Sequence, residues 1–243
     1  MSFLVCREFV EPYSPSLLNI STCGIDSLAM GWLQLAGLSK SLTTLWIQSC
    51  PELRSLPEEL KYLTRLEELH ISNCSKLTSL PADIQYIQSL RRLTIWQHLK
   101  GLLSLPEWLW NLSSMTDLRI GGFNNMASLP QGMQHLVKLQ RLGIFQCERL
   151  LSLPEWLESL TSLSTLEIFG CPNMSSLPDQ LQLLTTLKTL YIFDCPILER
   201  RCRREIGEDW HKIAHIPCIQ TLPPNVYPTK GFNFSRYNCL QRY

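Results

Sequence analysis

The stretch LEELHISNCSKLTSLP, residues 66–81, decides the fold of this chain. It has the form Leu-x-x-Leu-x-Ile-x-x-Cys-x-x-Leu-x-x-Leu-Pro, and the same pattern returns between about Pro15 and Cys195. Its first apolar residue recurs in steps of 24, 24, 25, 24, 24 and 24 residues, at Leu42, Leu66, Leu90, Met115, Leu139, Leu163 and Leu187. A period of this length is typical of a solenoid, in which each unit buries its apolar face against the next.

Each repeat predicts one short strand followed by a tight helical turn. Leu69 and Ile71 alternate with polar residues, as in a strand with one buried face. The Leu-Pro pair then starts the helical turn, because proline suits the first helical position. We therefore predict an α/β solenoid with a concave parallel sheet of about eight short strands and convex short helices or 3-10 turns.

The period divides the chain into four predicted segments. Residues 1–14 show no clear period and form an irregular N-terminal segment. Residues 15–195 hold the repeats of 24–25 residues. Residues 196–221 are a C-terminal capping segment, called the cap below, and residues 222–243 are a loose tail that contains three prolines.

Composition limits the classes of partner. The 243 residues are 45% hydrophobic and 18% charged, as expected for a globular chain with a sizeable core. The net charge of +1 gives no electrostatic reason to expect binding to nucleic acid or to a membrane surface. The longest apolar runs are far shorter than the ~18 residues of a membrane helix, and the N-terminus has no apparent signal peptide.

The ten cysteines favour a reducing compartment. Six of them share one place in the repeat, where small buried thiols suit the corner after the strand: Cys23, Cys50, Cys74, Cys147, Cys171 and Cys195. Parallel strands lie ~4.8 Å apart, so neighbouring thiols would fall within disulfide range in an oxidising compartment. We predict a cytoplasmic protein. Five Asn-x-Ser sequons keep an extracellular receptor ectodomain open as an alternative.

These repeats resemble leucine-rich repeats of the intracellular kind, which form a horseshoe. The segment CPILERRC at 195–202, followed by GEDW at 207–210 and HIP at 215–217, resembles the closing segment of plant nucleotide-binding leucine-rich-repeat disease-resistance proteins. His211 stands where such proteins often have proline. The resemblance implies recognition of a pathogen effector, or of a host protein that the receptor guards, in plant innate immunity.

The resemblance covers the repeats and not the nucleotide-binding switch of that family. No Gly-x-x-x-x-Gly-Lys-Ser/Thr phosphate loop occurs in the 243 residues. We therefore expect a C-terminal fragment or a truncated relative, which restrains a nucleotide-binding domain if one is present upstream. A general intracellular signalling scaffold is a further alternative.

The sequence predicts no catalytic, cofactor or metal site. His211 and His215, with Cys202 and Cys218 nearby, have a spacing that zinc could use, but no paired Cys-x-x-Cys accompanies them. No nucleophile, base and metal set assembles elsewhere. The arginines at 200, 201, 203 and 204 are expected to form a solvated basic face on the cap.

Eight of the nine candidate partner-binding residues flank the isoleucine of a strand, where side chains point to the concave side, and the ninth, Arg141, is one of the charged residues that vary from repeat to repeat. The nine residues are Trp46, His70, Trp96, Arg119, Arg141, Phe145, Phe169, Tyr191 and Phe193. Even half exposed, the aromatic residues near the C-terminal end would form a patch of order 300–500 Å², a size that is often functional. The alternative is that the tail or the cap folds over them.

Overall fold

The computed structural model describes residues 16–21, 40–96 and 105–221. Within these ranges nine strands form one parallel sheet, and each strand pairs with the next one in the chain. The strands are β1 (Leu17–Ser21), β2 (Thr44–Gln48), β3 (Glu68–Ser72), β4 (Arg92–Trp96), β5 (Asp117–Gly121), β6 (Arg141–Phe145), β7 (Thr165–Phe169), β8 (Thr189–Phe193) and β9 (Cys218–Gln220). The predicted parallel sheet of a solenoid is confirmed.

The register keeps equivalent residues of neighbouring repeats side by side. Leu69 pairs with Leu93, and Ile71 pairs with Ile95. The same pairing of leucine with leucine and isoleucine with isoleucine holds from β1 to β8. Each apolar column therefore runs unbroken through the stack, as the repeat period requires.

The convex side is built from 3-10 turns, one of the two predicted forms. Each turn follows the proline of a Leu-Pro pair, and the carbonyl of that proline accepts the first hydrogen bond of the turn, as Pro57 does from the Leu60 N–H at 3.3 Å. The turns are Glu58–Tyr62, Ala82–Tyr86, Glu107–Asn111, Gln131–His135, Glu155–Ser159 and Asp179–Leu183. Apolar residues such as Leu60 and Leu181 point from these turns into the core.

The cap contributes a strand that the sequence analysis did not predict. Helices α1 (Pro196–Arg201) and α2 (Trp210–Ile213) lead into β9, whose residues pair with Thr189–Tyr191 of β8. The repeats predict about eight strands, because Cys218–Gln220 lacks the repeat motif. Trp210 of the cap is partly buried and packs against the core.

The leucine, isoleucine and cysteine columns form one continuous buried cluster, the interior cluster. The corner residues Cys147, Cys171 and Cys195 are fully buried thiols, and the Cys171 N–H donates to the Cys195 Sγ at 3.3 Å. The residue just before each of these three corners has a positive φ, for example Gly170 at 63°. In the described residues the cysteines carry thiols and form no disulfide.

Some predictions concern parts of the chain that the structure does not describe. The irregular segment 1–14, most of the first repeat (residues 22–39) and the tail 222–243 lie outside the described residues. Of the helices in the described ranges, none combines the length and apolarity that a membrane crossing requires.

Candidate partner-binding face

Alternate side chains of each strand stand on the side of the sheet opposite the interior cluster. These are the first, third and fifth residues of each strand, and we call their surface the concave face. All nine predicted binding residues occupy these positions. Their function as binding residues stays a prediction.

Four aromatic side chains on the concave face pack together and apart from the interior cluster. Trp96, Phe145, Phe169 and Phe193 form this concave aromatic cluster. Successive ring centroids along it are 5.3, 5.3 and 4.9 Å apart, within the range of favourable aromatic pairs. Tyr191 joins its edge, with its ring centroid 6.2 Å from that of Phe193.

The expected half-exposed aromatic patch is wrong. The exposed fractions of Trp96, Phe145, Phe169 and Phe193 are 3%, 0%, 6% and 6%. Two glycines explain part of this burial, because the rings lie flat where a neighbouring side chain would stand. A Cβ at Gly121 would come within 2.5 Å of the Trp96 ring, and one at Gly143 within 2.4 Å of the Phe145 ring.

Charged residues of alternating sign occupy the first positions of β3 to β6: Glu68, Arg92, Asp117 and Arg141. The Arg92 Nε donates to the Glu68 Oε2 of the neighbouring strand at 2.9 Å. Arg141 Nη1 lies 3.9 Å from Asp117 Oδ2. Such pairs contribute only about 0.2–1 kcal/mol each, so this charge ladder adds little to stability.

Burial changes the electrostatics at Asp117. Desolvation raises the pKa of its carboxyl group, although Arg119, Arg141 and Arg92 oppose the shift. Arg119 Nε lies 3.3 Å from Asp117 Oδ1 and 3.9 Å from Glu167 Oε2. Arg119 therefore links the charge ladder to Glu167, which is completely buried beside the aromatic cluster.

His70 marks the N-terminal part of the concave face. Its ring centroid lies 5.7 Å from that of Trp46, and its Nε2 lies 3.0 Å from the Ser72 Oγ. Burial lowers the pKa of His70 to about 4, with Arg119 acting in the same direction and Glu68 against it. The imidazole is therefore neutral at physiological pH.

The prediction from the sequence omitted three carboxylates from the binding set. Glu68 accepts a hydrogen bond from the Trp46 indole N–H at 3.0 Å, and Asp117 and Glu167 both contact Arg119. The strand register could have identified them, because each lies at a concave position on a strand close to its arginine. The concave face thus combines a charge ladder with an aromatic cluster.

The basic face expected on the cap is wrong for Arg201. This arginine donates from Nε to Asp209 Oδ2 at 3.1 Å and from Nη2 to Oδ1 at 3.0 Å, and it also pairs with Glu208. Asp209 is completely buried and accepts a hydrogen bond from the Leu177 N–H at 3.0 Å. Arg201 therefore holds the cap on the last repeat, whereas Arg200, Arg203 and Arg204 remain exposed.

His215 contributes to the same docking of the cap. His215 Nε2 lies 3.2 Å from the carbonyl oxygen of Leu184. Within the described ranges, no three His, Cys, Asp or Glu residues lie together so that they could hold a metal ion.

Comparison with known proteins identifies the repeats. A family model described as "Leucine Rich Repeat" matches residues 65–87. The leucine-rich repeat domain of the type III effector XopL aligns with a TM-score of 0.65 and 27% identity, covering 85% of this chain and 68% of that one. The leucine-rich-repeat protein LIC12759 of Leptospira interrogans aligns over 85% of this chain and 62% of that one, with a TM-score of 0.50 and 20% identity.

Two curated plant proteins share short, closely similar segments with this chain. The putative disease resistance protein RGA4 of Solanum bulbocastanum is 77% identical over 22 residues, which are 9% of this chain and 2% of that protein. The putative disease resistance protein RGA1 of the same species is 71% identical over 24 residues, or 10% and 2%. The matches thus span about 2% of the length of these relatives. The chain has the fold of a leucine-rich-repeat solenoid, and a short stretch of it is similar to plant disease resistance proteins.

Proposed function

We propose that this chain is a non-catalytic protein-interaction module of plant innate immunity, which binds a protein ligand on its concave face. The ligand is a pathogen effector or a host protein that the receptor guards. Where a nucleotide-binding domain is present upstream, the repeats restrain it. The resemblance to disease resistance proteins supports this role, and the buried thiols support its location in the cytoplasm.

The charge ladder and the aromatic cluster are the observation that carries the proposal. The fold requires leucine and isoleucine at the inward positions but makes no such demand of the concave ones. Residue type therefore varies freely there, and ligand specificity resides on such surfaces. Trp46 and Arg141 are half-buried, whereas the four rings of the aromatic cluster are covered.

Charge reversal at Arg141 tests the assignment of this face. Full-length chain carrying Arg141→Glu is compared with wild type for affinity to an effector or guarded host protein, by isothermal titration calorimetry. We expect the affinity to fall by ten-fold or more, because the reversal opposes Asp117 and repels an acidic group on the ligand.

The matched control is Arg149→Glu, which reverses an exposed charge in the turn after Cys147, off the concave face. Its affinity should remain within two-fold of wild type. Circular dichroism shows whether both variants fold. Equal losses in the two variants, or none in Arg141→Glu, would contradict binding on the concave face.

A further inference from the structure

The convex side carries tryptophan side chains that the repeat does not require. Trp108 and Trp156 occupy the second position of the turns Glu107–Asn111 and Glu155–Ser159, and both are partly buried against the interior cluster. The other convex turns have polar residues or glycine at this position: Glu59, Asp83, Gly132 and Gln180. Stacking of the repeats therefore does not by itself explain the two indoles.

A third indole fills the gap between these two. Trp110, at the fourth position of its turn, leans over the next turn, where Gly132 has no side chain. A Cβ at Gly132 would lie 2.5 Å from the Trp110 Nε1. Lys61 and Asp83 join the same two positions of another pair of turns, with the Lys61 Nζ 3.0 Å from the Asp83 Oδ1. The pyrrole edge of Trp110 thus stands where a side chain at 132 would begin.

Trp108, Trp110 and Trp156, called the convex tryptophan row below, include one hydrogen-bond donor without an acceptor. Trp110 is 6% exposed and its Nε1 is buried. Among the residues that the structure describes, no group accepts a hydrogen bond from this nitrogen. Buried polar groups of folded proteins nearly all have a hydrogen-bond partner. The indole N–H in the middle of the row therefore indicates an acceptor that a ligand supplies.

The turns that carry the row are acidic. They contain Glu107, Glu155 and Glu158 and no lysine or arginine. The three side chains are exposed, and none of them takes part in an ion pair with another described residue. A ligand that lies along the row is therefore favoured by a positive charge of its own.

We propose that the convex tryptophan row binds a proline-rich segment of a partner protein, in the polyproline II conformation and with a basic residue beside the glutamates. Proline-rich segments dock on surfaces lined by aromatic side chains. Polyproline II has no internal hydrogen bonds, so its carbonyl groups are free to accept from the Trp110 indole N–H. This site lies on the opposite side of the repeats from the concave face and goes beyond the function proposed for that face.

The spacing of the row matches this backbone. Trp108 and Trp156 lie two repeats apart, which is at least ~9.6 Å when strands are ~4.8 Å apart. Three residues of polyproline II rise ~9.3 Å. Prolines three residues apart thus reach the two outer indoles, and a carbonyl between them reaches Trp110. The Trp110 nitrogen is buried in the free chain, so the ring has to turn to meet this carbonyl, and Gly132 places no side chain in its way.

Titration with a defined peptide tests the site on the full-length chain. The probe is an acetylated peptide of ten prolines followed by two arginines, and NMR of the ¹⁵N-labelled protein follows the indole N–H signals. Trp110→Phe identifies the Trp110 signal by its loss. We expect this signal to move downfield during the titration, because the N–H gains an acceptor.

Variants of the row and its border measure what each part contributes. Trp156→Leu should weaken peptide binding by about ten-fold or more, because it removes one of the two outer indoles. The matched control is Tyr86→Leu, which removes an exposed aromatic residue of another convex turn and should leave the affinity within about two-fold of wild type.

A combined Glu155→Gln and Glu158→Gln variant tests the charge. It should weaken binding by about two- to five-fold and reduce the dependence of affinity on salt. Both side chains are exposed, so this variant also supplies the test if Trp156→Leu does not fold.

Four results would overturn the proposal. The Trp110 signal could fail to move with the peptide, or move equally with a peptide of five Gly-Ser pairs followed by two arginines, which would show attraction of charge alone. A shift with protein concentration alone would assign the row to a second copy of the chain. Equal losses in Trp156→Leu and Tyr86→Leu would exclude the row as the binding surface. The experiment uses no ligand of the concave face, so its outcome is independent of that of Arg141→Glu.

Discussion

The interior cluster and the concave aromatic cluster lie on opposite sides of the same strands and arise for different reasons. Each column of the interior cluster repeats one type of residue, so that Leu142, Leu166 and Leu190 are equivalent members of one column. The concave position at the end of each strand changes from repeat to repeat, as Ser21, Gln48, Ser72, Trp96, Gly121, Phe145, Phe169 and Phe193. Stacking dictates the first cluster, whereas the second is free to serve binding.

The largest expected effect concerns the polar contacts that close the interior cluster at its C-terminal end. Asp209→Ala should lower the free energy of unfolding by about 3–5 kcal/mol, because it leaves Arg201 and Lys212 without their shared carboxylate. Urea denaturation followed by circular dichroism measures the change. Asp179→Ala is the matched control, since Asp179 also pairs with Lys212 but is exposed, and it should have little effect.

The pH dependence of this effect provides a second readout. Burial raises the pKa of Asp209, but hydrogen bonds from Arg201, Leu177 and Lys212 outweigh it and lower the pKa below 3.8. The stabilisation is therefore complete above pH 3.8 and is lost as the pH falls through the folded-state pKa. If the stability difference between wild type and Asp209→Ala persisted unchanged below that range, the ionised carboxylate would not be its source.

Leu166→Ala isolates the interior cluster itself. Leu166 is completely buried on β7, so its truncation should cost about 2–5 kcal/mol through lost apolar contact and the cavity that remains. Leu183→Ala, at an exposed position of the convex side, is the control and should change stability by less than about 0.5 kcal/mol. Thermal or urea unfolding measures both variants. Similar losses at the two positions would contradict the division between interior and surface.

The smallest expected effect is a pH dependence on the concave face. Burial lowers the pKa of His70 from 6.5 to about 4. As the pH falls, the imidazole of the unfolded chain therefore binds a proton before that of the folded chain does. The stability that His70 contributes is complete above pH 6.5 and should fall by about 2 kcal/mol between pH 7 and pH 5.

Urea denaturation at a series of pH values checks this dependence. His70→Gln should flatten the stability profile between pH 7 and pH 5. The exposed His135 offers the matched control, and His135→Gln should retain the slope of wild type. A profile for His70→Gln that matches wild type would exclude His70 as the buried titrating group.

Prediction from the sequence worked best where a residue's environment follows from the repeat. The spacing of Leu69 and Ile71 predicted a buried strand face, and the Leu-Pro pair predicted a tight turn. The sequence also placed all nine candidate residues on one face. It overestimated the exposure of Phe145 and Phe169, because alternation shows which way a side chain points but not what covers it.

The sequence by itself therefore determined the solenoid, its register and its interior columns, because a period of 24 residues fixes which side chains meet in neighbouring repeats. Tertiary structure alone decided three further features: the addition of β9, the docking of Asp209 on Leu177, and the burial of Glu167 with Arg119. These contacts join residues that are far apart in the chain: β9 and Asp209 lie in the cap, and Arg119 and Glu167 lie two repeats apart. Their strength comes from removal of charge from water, which depends on the whole fold.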